Sequence, residues 1–188
     1  HPSIAQEAQE SEETPMGVWD STIQGRIAGN QSGYHNWQEG GSSTISFTGE
    51  LRGSAERQTE EWTQAQSFRL AFGQKKQGGL SFRKDQDIIL YDFSLQYQGE
   101  SNLDPTVSGE FRTQFAPSYN YQKNPFDDGR EPPVKVSDAF SPGYIQQSLG
   151  LTYDPNEWSS YTFGVAGKET VVWIDRLRPL YMEGINQS

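Results

Sequence analysis

The chain has 188 residues, 32% hydrophobic and 13% aromatic, with 15 Lys and Arg against 25 Asp and Glu for a formal net charge of −10. A soluble globular domain carries nearer to about 45–50% apolar residues and a disordered chain is poor in aromatics, so neither class fits, whereas a barrel with one greasy and one polar face does. The acidic balance excludes nucleic acid as a partner, zero cysteines exclude disulfide staples and thiolate metal sites, and no apolar run of about 18 residues exists to form a membrane helix.

Residues 1–16 begin His1-Pro2-Ser3, as a secreted chain does after its signal peptide is cleaved. They hold four Glu and read as a flexible acidic tail. Residues 17–180 read as the barrel, and 181–188 as a C-terminal tail or loop. The first strand is expected at about 17–28, with Trp19, Ile23, Gly25 and Ile27 on one face and Asp20, Thr22, Gln24 and Arg26 on the other. A Gly-rich connection follows at 29–41. The stretch from Ser43 to Gly73 then reads as a long hairpin. Ile45, Phe47, Leu51 and Ala55 share a face in its first limb; Trp62, Phe68, Leu70 and Phe72 share one in its second. A turn at Arg57-Gln58-Thr59-Glu60 sets Phe47 opposite Leu70 and Thr48 opposite Arg69. It also leaves Glu50 diagonal to Arg69, within reach of an ion pair.

Further strands are expected at about 88–98, 106–117, 143–154 and 160–167, with an eighth at 169–177 (ETVVWIDRL). Connections alternate short and long, the long ones falling at 29–41, 73–87 and 118–142. Transmembrane barrels have short periplasmic turns and long external loops, and strands of about ten residues span the hydrocarbon when tilted. Aromatics near strand ends (Trp19, Trp62, Phe72, Tyr97, Tyr153) suit interfacial girdles. The reading is an all-β, antiparallel, up-and-down transmembrane β-barrel of eight strands, or the N-terminal part of a larger barrel. Its N-terminus is placed in the periplasm. Alternation alone does not say which face is outside, so a soluble lipocalin-like barrel around an apolar ligand is the alternative.

Parity places Asp20, Arg26, Glu50, Arg52, Arg69, Asp92, Glu110 and Arg112 in the lumen, four acids and four bases that suggest an ion-pair network. Tyr34, Trp37, Phe82, Tyr119, Tyr121 and Phe126 fall in the long loops, as a cap over the mouth or a recognition surface. No catalytic, cofactor-binding or metal-ligating residues are expected. His35 has no triad partners at a meaningful spacing, and Asp127-Asp128-Gly129 with Glu131 lacks the alternating oxygen ligands of a calcium loop.

The segments HNWQEGG (35–41), GLSFRKDQDIIL (79–90), RTQFAPSYNY (112–121), VSDAFSPGYIQQSLGLTYDPN (136–156) and GVAGKETVV (164–172) are collinear with, and resemble, an uncharacterised outer-membrane β-barrel family of Bacteroidota-type bacteria, a domain of unknown function. The resemblance implies an outer-membrane barrel with no assigned reaction, and family members look longer. The function expected is non-enzymatic, structural or interaction-type, as a subunit of a larger envelope assembly. The partners are outer-membrane lipid and other envelope proteins. A passive, porin-like pore for small solutes and a soluble carrier are the alternatives.

Overall fold

The structure is a computed structural model that describes residues 15–33, 42–99, 103–126, 128–156 and 158–182. Seven segments with period-two alternation form long strands: β1 (Trp19–Ser32), β2 (Thr44–Gln58), β3 (Trp62–Gln77), β4 (Arg83–Tyr97), β5 (Leu103–Thr113), β8 (Gly143–Asn156) and β9 (Ser159–Val171). They pair in the order β1-β2-β3-β4-β5-β8-β9, every neighbour antiparallel. Two short strands, β6 (Ser118–Asn120) and β7 (Val134–Ser137), make a separate two-stranded sheet inside the connection between β5 and β8.

Among the described residues β1 and β9 are each paired along one side only, so the sheet is an open up-and-down antiparallel meander, and closure of eight strands is not found. The eighth strand is not formed either. Glu169–Val171 extend β9, and the chain then turns into a 3-10 helix (Asp175–Leu177) and a short helix α1 (Arg178–Met182). Val172 and Leu177, 3% and 0% exposed, are withdrawn from solvent where the ladder ends. The long connection expected between β3 and β4 shrinks to residues 78–82, because both strands run further than the hydropathy pattern suggests.

The hairpin register also differs from expectation. Phe47 lies opposite Gln74 and Thr48 opposite Gly73, while Leu51 faces Leu70 and Arg52 faces Arg69. β2 runs on through Gln58, and a tight turn is closed by Thr59, whose hydroxyl accepts the Trp62 N–H at 2.9 Å. Moving the turn shifts the pairing by four residues. An even shift keeps every side chain on its face.

The polar face is the concave one: a cavity of about 530 Å³ is lined by residues of six strands, from Asp20 and Thr22 on β1 to Gln146 and Ser148 on β8, most of them of polar-face parity. The apolar face is convex and exposed, with Ile27 91%, Val165 74%, Ile23 73% and Phe163 68% accessible. Large buried apolar side chains among the described residues (Val134, Val172, Leu177) belong to β7 and to the segment after β9, not to the sheet. The sheet thus has no dry core of its own.

The apolar residues cross the sheet on a diagonal. The pairing row that starts at Ile23 passes through Gly53, Phe68, Tyr91, Phe111 and Ile145 and ends at Glu169. On β1 Ile23 and Ile27 lie at and beyond that row toward the long-loop end, with Trp19 short of it. On β9 Val165, Phe163 and Tyr161 lie on the opposite side of Glu169, with Val171 past it. The β1 pair is centred on Gly25 and the β9 trio on Phe163, and the slip lies between those centres. This slip of about eight residues over the width of the sheet, at ~3.3 Å per residue and ~4.8 Å between strands, inclines the strands by about 40° to the perpendicular of the band, the tilt of barrel walls. It also explains Glu169, an acid on the apolar face that lies beyond the band's edge.

Candidate functional site: a polar trough and its cap

Pairing register sorts the trough's charges by sign. Asp20 stands opposite Glu56, Asp92 opposite Glu110, and Arg52 opposite Arg69. The 530 Å³ cavity therefore collects Asp20, Glu56, Asp92 and Glu110 with the hydroxyls of Ser94 and Ser108, and no cation lines it. Arg52 and Arg69 line the adjoining hollow with Asp92. Glu50 resolves the Arg52–Arg69 repulsion, because its carboxylate accepts from Arg69 Nη2 at 2.8 Å and Nε at 3.1 Å and also pairs with Arg52 Nε. Asp92 accepts the Ser67 hydroxyl at 3.2 Å.

Among the described residues Asp20, Arg26, Glu110 and Arg112 make no ion pair. The eight charges form one triad and a set of separated groups, so most of the trough is left for solvent. Below the acids, the β5–β8–β9 wall is knitted by hydroxyls: Ser108 to Ser148 at 2.5 Å, Thr106 to Thr152 at 2.8 Å, Thr152 to Thr162 at 3.0 Å. Gly150 and Gly164 stand opposite each other there, so close that a side chain on either would meet the other strand's backbone.

The connection 114–142 folds over the end of the trough where β5 finishes. Asp87 anchors it: its carboxylate, 3% exposed, accepts the N–H of Phe115 at 2.7 Å and of Ala116 at 2.9 Å and pairs with Lys84 at 2.7 Å. Gln114 Nε2 donates to the carbonyls of Asp138 (3.0 Å) and Ser141 (2.9 Å), and Thr113 Oγ1 donates to Pro142 O at 3.0 Å. Tyr181 Oη, from α1, donates to Val136 O at 2.9 Å and ties the segment after β9 to β7. Burial among these elements raises the Tyr181 phenol above its usual range. The Lys135 ammonium, 2.7 Å from Asp138, holds that carboxyl below the usual carboxylate range, helped by the Ala139 N–H.

Of the loop aromatics, Tyr34 and Trp37 lie outside the described residues, as does His35. Tyr121 lies under the Arg83 guanidinium, 3.8 Å from its ring centre, with Tyr119 at 6.4 Å. Phe126 carries Arg130 at 5.1 Å, and Phe82 packs on Phe47 of β2 at 6.2 Å. Asp128 is drawn well below its usual acidity range by Arg130, with Asn124 also donating to it. No group of three His, Cys, Asp or Glu among the described residues has metal-ligand geometry.

A second cavity, about 580 Å³, lies beneath this cap and is lined by Arg112, Ser137, Tyr144, Gln146, Lys168 and Tyr181 among others. Sequence reading named only Arg112 of these. Parity would have added Tyr144 and Lys168, which share the inward face with Gln146. Nothing local marks Ser137 or Tyr181, which the cap brings in.

A family model described as a protein of unknown function (DUF3078) matches residues 29–119, from the end of β1 to β6. That agrees with a resemblance to an uncharacterised family and carries no activity. No curated protein and no solved structure matches the chain.

Proposed function

We propose that this sheet is the lipid-facing wall of an outer-membrane β-barrel of the Bacteroidota type, with the start of β1 on the periplasmic side. Its role is structural or interaction-type, without enzymatic chemistry, within an envelope assembly. The observation that carries the reading is the convex, exposed apolar band that crosses the strands at a barrel's tilt. In lipid every backbone polar group needs a partner inside the wall, and the ladders supply this from β2 to β8. Polar groups on the convex face are met locally too, Tyr91 Oη donating to Gln66 Oε1 at 2.9 Å.

A soluble carrier would turn its apolar residues toward the concavity, the opposite of their placement. The passive-pore alternative draws on the unfilled cavities and unpaired charges, and is opposed by the cap across one end. Because the chain lacks cysteine, single-cysteine variants report cleanly. Labelled with an environment-sensitive fluorophore in lipid vesicles, Ile27→Cys and Val165→Cys should read apolar and Thr22→Cys and Ser108→Cys hydrated. The reverse pattern would refute the assignment of faces. Planar-bilayer recordings separate wall from pore, and steady ion-selective openings would replace the structural role with conduction.

A further inference from the structure

We propose that the cavity beneath the cap binds a small hydroxylated monoanion, a hexuronate-type sugar acid. Its volume of about 580 Å³ falls in the range of ligand pockets, about 300–1,000 Å³. Two cations line its wall, Arg112 and Lys168, and among the described residues neither has a carboxylate partner. Two acids line it as well. Asp87 is fully engaged by Lys84 and the two backbone N–H groups of Phe115 and Ala116, which leaves Glu110. Arg112 and Lys168 against Glu110 amount to a single positive excess, the complement of one negative charge.

The second observation is Ser137. Ser137 lines this cavity, is 3% exposed, and among the described residues its hydroxyl, like Ser141 Oγ and Arg83 Nε outside the cavity, has no hydrogen-bond partner. A buried polar atom in that condition is uncommon and calls for a partner. A ligand hydroxyl or carboxylate in the cavity supplies one. Ser118 and Gln146 add neutral donors on the same wall. Tyr144 stands directly opposite Arg112 in the β5–β8 ladder, and Lys168 Nζ lies 5.8 Å from its ring centre. An aromatic ring with one cation over it and another opposite in the ladder suits a pyranose ring carrying a carboxylate. This site does not depend on what lies against the convex face.

The test is calorimetric titration of the full chain, folded in detergent micelles at low salt, with glucuronate, glucose, glucosamine and inorganic phosphate. Saturable binding of glucuronate, with glucose and glucosamine inert, is the expected result. Arg112→Gln should weaken it by about tenfold, the loss of one charge-assisted contact. Lys168→Gln and Ser137→Ala should weaken it several-fold, and Arg26→Gln, outside the cavity, should leave it unchanged. Lys168 is on an exposed edge strand, so that variant remains informative where Arg112→Gln fails to fold. Absence of glucuronate binding, equal affinity for glucose, phosphate binding as tightly as the sugar acid, or unchanged affinity in both cation variants would each overturn the proposal.

Discussion

Replacing Gly164 with Ala should destabilise the sheet although it adds a single methyl. Gly164 and Gly150 face each other across β8 and β9 on the concave side. A Cβ on Gly164 would lie 2.5 Å from Leu149 O and 2.7 Å from Gly150 Cα, and one on Gly150 would lie 2.6 Å from Phe163 O. Ordinary contact is about 3.4 Å, so the two backbones would have to part by nearly an ångström. Flexible side-chain ends could yield that much, but these are backbone atoms. The Thr106–Thr152–Thr162 hydroxyl chain also holds the strands together one step away.

Overpacking of this kind costs about 1–3 kcal/mol. The reduced freedom of the unfolded chain returns about 0.4–1 kcal/mol for any Gly→Ala change. Gly25 on β1 is the control, since its Cβ would meet nothing within 4 Å, and Gly25→Ala should be neutral or mildly stabilising. The two variants should therefore differ by about 2 kcal/mol, which at a urea slope of about 2 kcal/mol/M is a midpoint difference of about 1 M. Urea unfolding in vesicles, followed by tryptophan fluorescence, measures it. Equal midpoints for Gly164→Ala and Gly25→Ala would refute the claim that the two strands approach too closely at this pair to admit a methyl.

Glu50→Gln should leave Arg52 facing Arg69 without a counter-charge. The variant's unfolding midpoint should drop at low ionic strength and recover in part near 1 M salt, and a drop insensitive to salt would count against the triad. Asp87→Ala should strip the Phe115 and Ala116 N–H groups of their acceptor. By hydrogen exchange, local protection of residues 113–118 should fall by about 2 kcal/mol while the β2–β3 amides keep theirs. Acid should loosen the cap through Asp138. Its folded carboxyl titrates below the unfolded value, so its stabilising contribution is complete above an unfolded pKa of about 3.9 and is lost as pH falls through the folded value. Exchange of residues 134–142 should accelerate below about pH 4, and Asp138→Asn should remove that acid-side change; an unaltered acid response in the variant would sink the assignment.

Facing was readable from sequence and pairing was not. Period-two alternation put Asp20, Glu50, Asp92 and Arg112 on one side and Phe47, Leu70 and Phe93 on the other, and a register error of four residues left those assignments intact. It even preserved the Glu50–Arg69 contact. Arg69 is diagonal to Glu50 both when Ser67 is its partner, as the earlier turn implies, and when Ala71 is, as in the fold. What register alone decides was missed: like charges opposite each other, the consequent division of the trough, and the Gly150–Gly164 approach. The sequence offered the loop aromatics, Tyr119, Tyr121 and Phe126 among them, as a cap over the mouth or a recognition surface, but none of the contacts that anchor the connection. Val134, Ser137, Leu177 and Tyr181 come from segments far apart in sequence with no shared periodicity, so no local pattern brings them together. The eighth strand failed for a related reason. ETVV alternates no differently from the strand it continues, and the ladder stops at Val171 where Val172 and Leu177 are buried instead.

Seven antiparallel strands oblige the first and the last to point the same way, so both free edges of this wall ascend. Joining them directly would create a parallel seam in an otherwise antiparallel wall, with slanted hydrogen bonds in place of perpendicular ones. A second copy turned about an axis along the strands presents only ascending edges too, and so offers no better match. A fully antiparallel closure takes an odd number of further strands between β9 and β1, the first and last of them descending. The opening is thus selective for chain direction before it is selective for sequence.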